Sequence, residues 1–454
     1  MSGVDRTRLP APGTPRPFRF PTIETAALAG GLDVRVITQR TAPIVSLTAL
    51  VRGGSSADPV DRPGLAAFTA DLLDDGAGAL DGPGLADVLA RIGAEADIEV
   101  WPDATVVTIT TLARHVSRAA ALLADLLLRP RLAADDVERV RALRLDRLRQ
   151  MRAQAATLAD RTLTREIFGR HPYGHPGIGD PASVRQITVE DIRGFHARSY
   201  QARATTLVVA GDLSTDEAVA LAETAFAVWQ SPHMNGTAAP VVAAPPSLGR
   251  VLIVPRPGAS QSELRVGQVS AARDTPDYHA LLLWNAVLGG QFVSRLNLNL
   301  RQAKGYTYGV RSGFDFRRDA GPFSIHTSVQ TTATADAVSE ILREVSDLHS
   351  TRPVTAEELA RAKAAVGLGY PRGFETAQQV ARAVAQMSLH GIGADHFEQF
   401  VPRLTAVTLD DVAAAAARHV QPDRLTAVVV GDPAAVEPQL AARGLAFEAM
   451  EDAS

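Results

Sequence analysis

The chain has 454 residues, 46% of them apolar and 21% charged, a formal net charge of −4 and no cysteine. Zero cysteines exclude disulfides, thiol catalysis and Cys-ligated zinc or iron–sulfur sites. The slightly acidic balance, with Arg and Lys interspersed among acids, gives no reason to expect nucleic acid or an anionic membrane as a partner.

At about 100 to 200 residues per domain, a chain of this length predicts two to four domains. Residues 1–20 carry Arg6, Arg8, Arg16 and Arg19 among prolines without an apolar core, so they do not read as a secretory signal. No apolar run reaches the roughly 20 residues of a membrane span, which makes the cytoplasm the expected compartment. Asp33 to Thr38 and Ile44 to Val51 read as paired strands. From Pro63 to Gly78, Leu65, Phe68, Leu72 and Leu73 recur at helical spacing before Gly76 and Gly78 stop the run. A second helix starts at Gly84 and stops at Gly93. Thr105 to Leu112 is a β-branched strand, Val116 to Leu128 a helix ended by Pro130, and Ala133 to Ile167 an Ala-, Leu- and Arg-rich helical segment. The loop from His171 to Pro176 follows, then a buried strand over Thr205 to Ala210. Helices and strands mix without a regular βαβ rhythm, which predicts an α+β fold.

Between Gln230 and Gly249 periodicity lapses into Pro, Ala and Ser, the composition of a linker. Beyond it the chain repeats itself. Thr188-Val189-Glu190-Asp191-Ile192 and the strand ending at Gly211-Asp212 recur as Thr408-Leu409-Asp410-Asp411-Val412 and the strand ending at Gly431-Asp432, 220 positions on. Asp135-Asp136-Val137 recurs as Glu357-Glu358-Leu359 at an offset of 222. Two landmarks agreeing so closely indicate duplication of a whole domain. The expected division is an extension (1–20), a first domain (21–230), a linker (231–249) and a second domain (250–454).

The Pro63–Gly78 run resembles the signature helix of the insulinase-like (pitrilysin-type) zinc metallopeptidases, in which Gly-Leu-Ala precedes His, two residues, Glu and His. On that pattern the first zinc His falls on Ala67, the catalytic Glu on Ala70 and the second zinc His on Asp71. A methyl group neither ligates zinc nor moves a proton, and one carboxylate falls short of the three protein ligands of a catalytic zinc. The third ligand of the family, a Glu, would fall near Ala142 to Gln150, where Asp146 is the one acid among Arg144, Arg147 and Arg149. No zinc or other cofactor is therefore expected on this chain.

In the second half, Gly289-Gly290 and Leu300-Arg301-Gln302-Ala303-Lys304-Gly305-Tyr306-Thr307-Tyr308 look like the Arg/Tyr segment of the same family, with Arg301 and Tyr308 on the two key positions and Gln302 in place of an acid. The resemblance implies two homologous α/β-sandwich halves and a pair that holds a substrate's backbone carbonyl opposite the zinc. A guanidinium fork and a phenol O–H suit that task. In heterodimeric members one subunit carries zinc and the metal-free one contributes its Arg/Tyr pair. The expected function is thus a zinc-free partner subunit, inactive alone, that binds a peptide as an added strand while zinc sits on the partner. Thr105–Leu112 and Phe323–Val329 are the candidate edge strands. The alternative is a non-catalytic structural or peptide-binding homodimer of the same fold. His171 and His175 sit on a proline-bearing loop and read as structural rather than metal-binding; His390 and His396 read as a helix C-terminal cap.

Overall fold

A computed structural model describes residue 13 and residues 18–229 and 249–450. Apart from Gly249, the expected linker lies outside the described residues, as does most of the expected extension. Two six-stranded mixed sheets organise the molecule, one from each half of the chain. In the first, the strands run in the order Glu24–Ala27, Asp33–Thr38, Thr205–Gly211, Ile44–Arg52, Ala104–Leu112 and Glu95–Val100. Thr205–Gly211 is buried along its whole length. It pairs parallel with Asp33–Thr38 and antiparallel with Ile44–Arg52, in a register that sets Leu47 opposite Val209. Asp33–Thr38 and Ile44–Arg52 are therefore separated by this strand, a correction to the expected pair. A local turn suggests a hairpin, but a continuous apolar strand from far along the chain inserts because both its faces must be buried.

The second sheet orders Val310–Phe314, Pro322–Gln330, Gln261–Val269, Thr426–Gly431, Arg250–Pro255 and Phe447–Ala449. Both candidate edge strands are corrected. Ala104–Leu112 is paired on both sides, and so is Pro322–Gln330. Their alternation of β-branched residues reports a strand, not its rank in the sheet. The true edges are Glu24–Ala27 and Glu95–Val100 in one sheet and Val310–Phe314 and Phe447–Ala449 in the other.

The internal repeat is visible atom by atom. Thr188 and Thr408 each open a helix with a reciprocal capping box. The Asp191 and Asp411 backbone N–H groups donate to the threonine hydroxyls at 3.1 Å in both, and the Asp carboxylates accept the threonine N–H at 2.9 and 2.8 Å. The helices Ala134–Ala153 and Ala155–Phe168 have counterparts 222 positions later in Ala356–Gly369 and Ala377–Leu389. Each sheet has its own helices on one face, sealed by Phe68, Leu123 and Phe195 in the first half and by Trp284, Val338 and Leu404 in the second.

The other face of each sheet is covered by the opposite half. Ala159, Leu163, Ile167 and Phe168 of Ala155–Phe168 pack on Leu252, Val254, Val428 and Val430 of the second sheet. Reciprocally, Val380, Ala381, Val384 and Ala385 of Ala377–Leu389 pack on Ile37, Leu50, Val106 and Val208 of the first. Charged ties reinforce this exchange: Arg265 of the second sheet pairs with Asp160, Arg382 with Glu99, and Arg52 donates to the Ser388 carbonyl at 3.0 Å. Among the described residues, no helix is long and apolar enough to cross a membrane.

Candidate functional site

The signature run forms a helix over Leu65–Asp71. Asp58 holds its start: one carboxyl oxygen accepts the Gly64 N–H at 2.6 Å and the other the Ala66 N–H at 2.7 Å, so two of the N–H groups that the helix leaves unpaired at its start are satisfied. Gly64 is needed here. Its φ is +93°, and a Cβ would lie 2.7 Å from the Ile178 carbonyl oxygen. Burial pushes the Asp58 carboxyl up to about 7, against the two N–H donors that favour its ionised form. The helix buries Leu65, Ala66, Phe68, Thr69 and Ala70. Ala67 and Asp71, four apart, lie on its open side, with Asp71 43% exposed.

The helix Ala134–Ala153 lies across it. Its buried positions are Val137, Val140, Arg144 and Leu148, a regular core stripe interrupted by one arginine. Arg144 is only 4% exposed, and its guanidinium binds the Asp71 carboxylate, donates to the Ile178 carbonyl at 2.9 Å and lies 5.3 Å from the centre of the Phe68 ring. Burial pulls the Arg144 pKa below its ordinary value, and the Asp71 carboxylate opposes that shift. Asp146, the acid in the segment expected to carry a third ligand, faces solvent and pairs with Arg149.

These residues do not fit a zinc ion. Ala67 and Ala70 offer methyl groups, and the single carboxylate is already engaged by a buried organic cation. Among the described residues, no group of three or more His, Asp or Glu is placed to hold a metal. Sequence reading missed Arg144 as the counter-ion. The available signal was an arginine exactly on the apolar stripe set by Val137, Val140 and Leu148, where a charge demands a partner.

The Arg/Tyr segment is built differently. The apolar helix Tyr278–Leu288 ends at Gly289, where a Cβ would meet the Ser312 hydroxyl at 2.5 Å. After the loop, residues Asn297–Ala303 wind as a wide π-type turn. The Asn297 side chain accepts the Val310 N–H at 3.0 Å and donates to the Val310 carbonyl at 2.8 Å and the Gln291 carbonyl at 3.2 Å, tying both ends of the segment together. Arg295 anchors it from below through two 2.7 Å bonds to the Glu358 carboxylate.

On this frame the Arg301 guanidinium lies 4.1 Å from the centre of the Phe292 ring, and Tyr308, beyond the turn at Gly305, is 93% exposed. Phe292 is 71% exposed, with Val293 and Leu298 also open. Among the described residues, the heads of Arg301 and Tyr308 have no hydrogen-bond or ion-pair partner. No such bond and no ring contact joins them to each other or to the signature helix.

His171 takes the Tyr173 N–H on Nδ1 at 3.0 Å, and the His175 Nε2 lies 3.9 Å from the Asp58 carboxylate. His390 sits at the C-terminal cap of Ala377–Leu389, whereas His396 opens the next helix and approaches Arg273 at 3.2 Å.

Two models of one family match this chain. "Insulinase (Peptidase family M16)" takes in residues 34–180 and "Peptidase M16 inactive domain" residues 186–366. The fold, the signature-helix frame and these matches together define a two-domain protein of the insulinase type, and the chain belongs to the insulinase-like M16 family. An uncharacterized zinc protease of Mycobacterium tuberculosis is 28% identical over 91% of this chain and 96% of its own. The non-peptidase homolog YmxG of Helicobacter pylori is 24% identical over 69% of this chain and 71% of its own. A crystal structure of a peptidase M16 inactive domain from Pseudomonas fluorescens superimposes with a TM-score of 0.84 at 26% identity, covering 90% of this chain and 98% of that one. In this chain the metal-binding positions of the signature helix, Ala67, Ala70 and Asp71, carry no zinc ligand set.

Proposed function

We propose that the protein is the zinc-free subunit of a two-subunit insulinase-type metallopeptidase, with residues 21–230 and 250–454 as its two domains. Arg301 and Tyr308 grip the backbone of a peptide whose scissile bond lies at the zinc of a partner subunit. The observation that carries this reading is an asymmetry. The signature helix is closed off by the Asp71–Arg144 pair, while Arg301 and Tyr308, on a braced and solvent-facing segment, have no hydrogen-bond or ion-pair partner among the described residues. A guanidinium and a phenol at that surface can donate hydrogen bonds to a carbonyl whose charge grows as the bond is attacked. The attacking oxygen belongs to the metal on the other subunit.

The test is reconstitution with a zinc-bearing relative from the same host. The isolated chain is expected to be inert toward peptides and the mixture active. Arg301→Ala or Tyr308→Phe should lower kcat/KM at least tenfold without weakening subunit association. Peptide hydrolysis by the pure chain with stoichiometric zinc, or reconstituted activity indifferent to both substitutions, refutes the proposal.

A further inference from the structure

A cavity of about 790 Å³, lined by none of the Arg/Tyr segment, lies between the end of the helix Ala134–Ala153, the helix Ala155–Phe168 and the turn from Gly169 to Pro176. Arg152, Arg161, Arg165 and Arg170 line it. Arg152 and Arg170 have no hydrogen-bond or ion-pair partner among the described residues, and the only such contact of Arg161 is the Gly179 carbonyl at 3.5 Å. Arg165 pairs with Glu166 at 3.2 Å. Burial, then repulsion from Arg152, lowers the Arg161 pKa, as expected where cations converge without enough acid between them.

The two acids on the wall are already committed. Asp180 caps the helix Pro181–Gln186 through the Ala182 and Ser183 N–H groups at 2.8 and 2.9 Å. Asp58 holds the signature helix, and its burial leaves it only part-ionised near neutrality. His175, also on the wall, has a buried Nε2 with no hydrogen-bond partner. The cavity is therefore a cationic recess.

The spacing of the arginines selects among anions. Arg152 precedes and Arg170 follows the 14-residue helix Ala155–Phe168, whose length is about 20 Å at the usual rise per residue. Arg161 and Arg165 sit one helical turn apart between them. An extended peptide of about six residues laid along that helix has the same length and can meet the four arginines in turn. Val60, Met151, Leu158, Pro172 and Pro176 line the same cavity and offer apolar surface for alternate side chains.

We infer that this recess binds an extended peptide segment in which acidic residues alternate with apolar ones. The site is a second peptide contact, distinct from the Arg/Tyr segment, and does not depend on a zinc-bearing partner.

The test uses the full chain alone and a fluorescein-labelled decapeptide of alternating Glu and Leu, read by polarisation, with a Lys-for-Glu version as control. Binding of the acidic peptide alone is expected, weakened at least tenfold by Arg152→Gln with Arg161→Gln and weakened as salt is raised. Arg152→Lys with Arg161→Lys, which keeps the charge, should retain most of it and shows that the fold survives substitution there. Arg301→Ala should leave binding unchanged, so that failure of the Arg/Tyr reading and failure of this one are separable. Equal binding of the Lys peptide, indifference to the Gln pair, or complete displacement by millimolar inorganic phosphate overturns the inference.

Discussion

Removing Asp71 tests directly what replaced the metal. Asp71→Ala strips the counter-ion from a guanidinium that is 4% exposed. Breaking a fully buried pair from one side costs about 3 to 5 kcal/mol. Here the carboxylate is 43% exposed, and Arg144 keeps the Ile178 carbonyl and the Phe68 ring. Solvent screening and those surviving contacts reduce the expected loss to about 2 kcal/mol. Spread over the roughly 400 residues that melt as one unit, at about 2.1 cal/mol/K per residue, that is a fall in Tm of about 2 to 3 °C. Differential scanning fluorimetry on Asp71→Ala, Arg144→Met and the double variant gives a cycle. The double variant should be less damaged than the sum of the singles by at least about 1 kcal/mol, because it leaves no orphaned charge. Additive effects, or an Asp71→Ala Tm within about 1 °C of the parent, would show that the pair is incidental.

Three further outcomes are expected. Rebuilding the motif by Ala67→His, Ala70→Glu and Asp71→His should not yield stoichiometric zinc after gel filtration while Arg144 remains, since its charge opposes a second cation; metal analysis showing one zinc per chain refutes this. Asp58, with a carboxyl raised from 3.8 to about 7, contributes stability that is full below pH 4 and lost as the pH rises to about 7, on the order of 4 kcal/mol. Asp58→Asn should flatten the fall in Tm between pH 5 and 7, and an unchanged slope would sink the assignment. Phe168→Ala, at a fully buried position beneath Tyr173 and Arg317, should cost about 3 to 5 kcal/mol. Because that residue holds one half against the other, both should melt in the same lowered transition, and two separate transitions would contradict the exchange of helices.

Much of this was legible in the residues themselves. Turn glycines, the repeated Thr-x-x-Asp cap and the β-branched runs each encode local geometry, and they placed the signature helix, the arginine-rich helices and the duplication. What they do not encode is who lies beside whom. The parallel insertion of Thr205–Gly211 between two earlier strands is decided by burial of both its faces, and the rank of Ala104–Leu112 within its sheet by partners distant in sequence. At the signature helix the missing ligands were plain from Ala67 and Ala70. The partner of Asp71 became visible only when a helix 73 positions on brought Arg144 across it. Asp58 was passed over for a similar reason: it precedes the helix it caps by a loop, outside the usual capping spacing.

The exchanged helices also bear on how the polypeptide is made. A ribosome releases the strands that end at Gly211 well before Ala377–Leu389, the segment that shields their outer face. The nascent first half therefore carries a bare apolar sheet while the following 178 residues, to Leu389, are made, the kind of surface that chaperones hold and that self-associates when they are scarce. Final closure waits for contacts between residues far apart in the chain, and such contacts make for slow maturation.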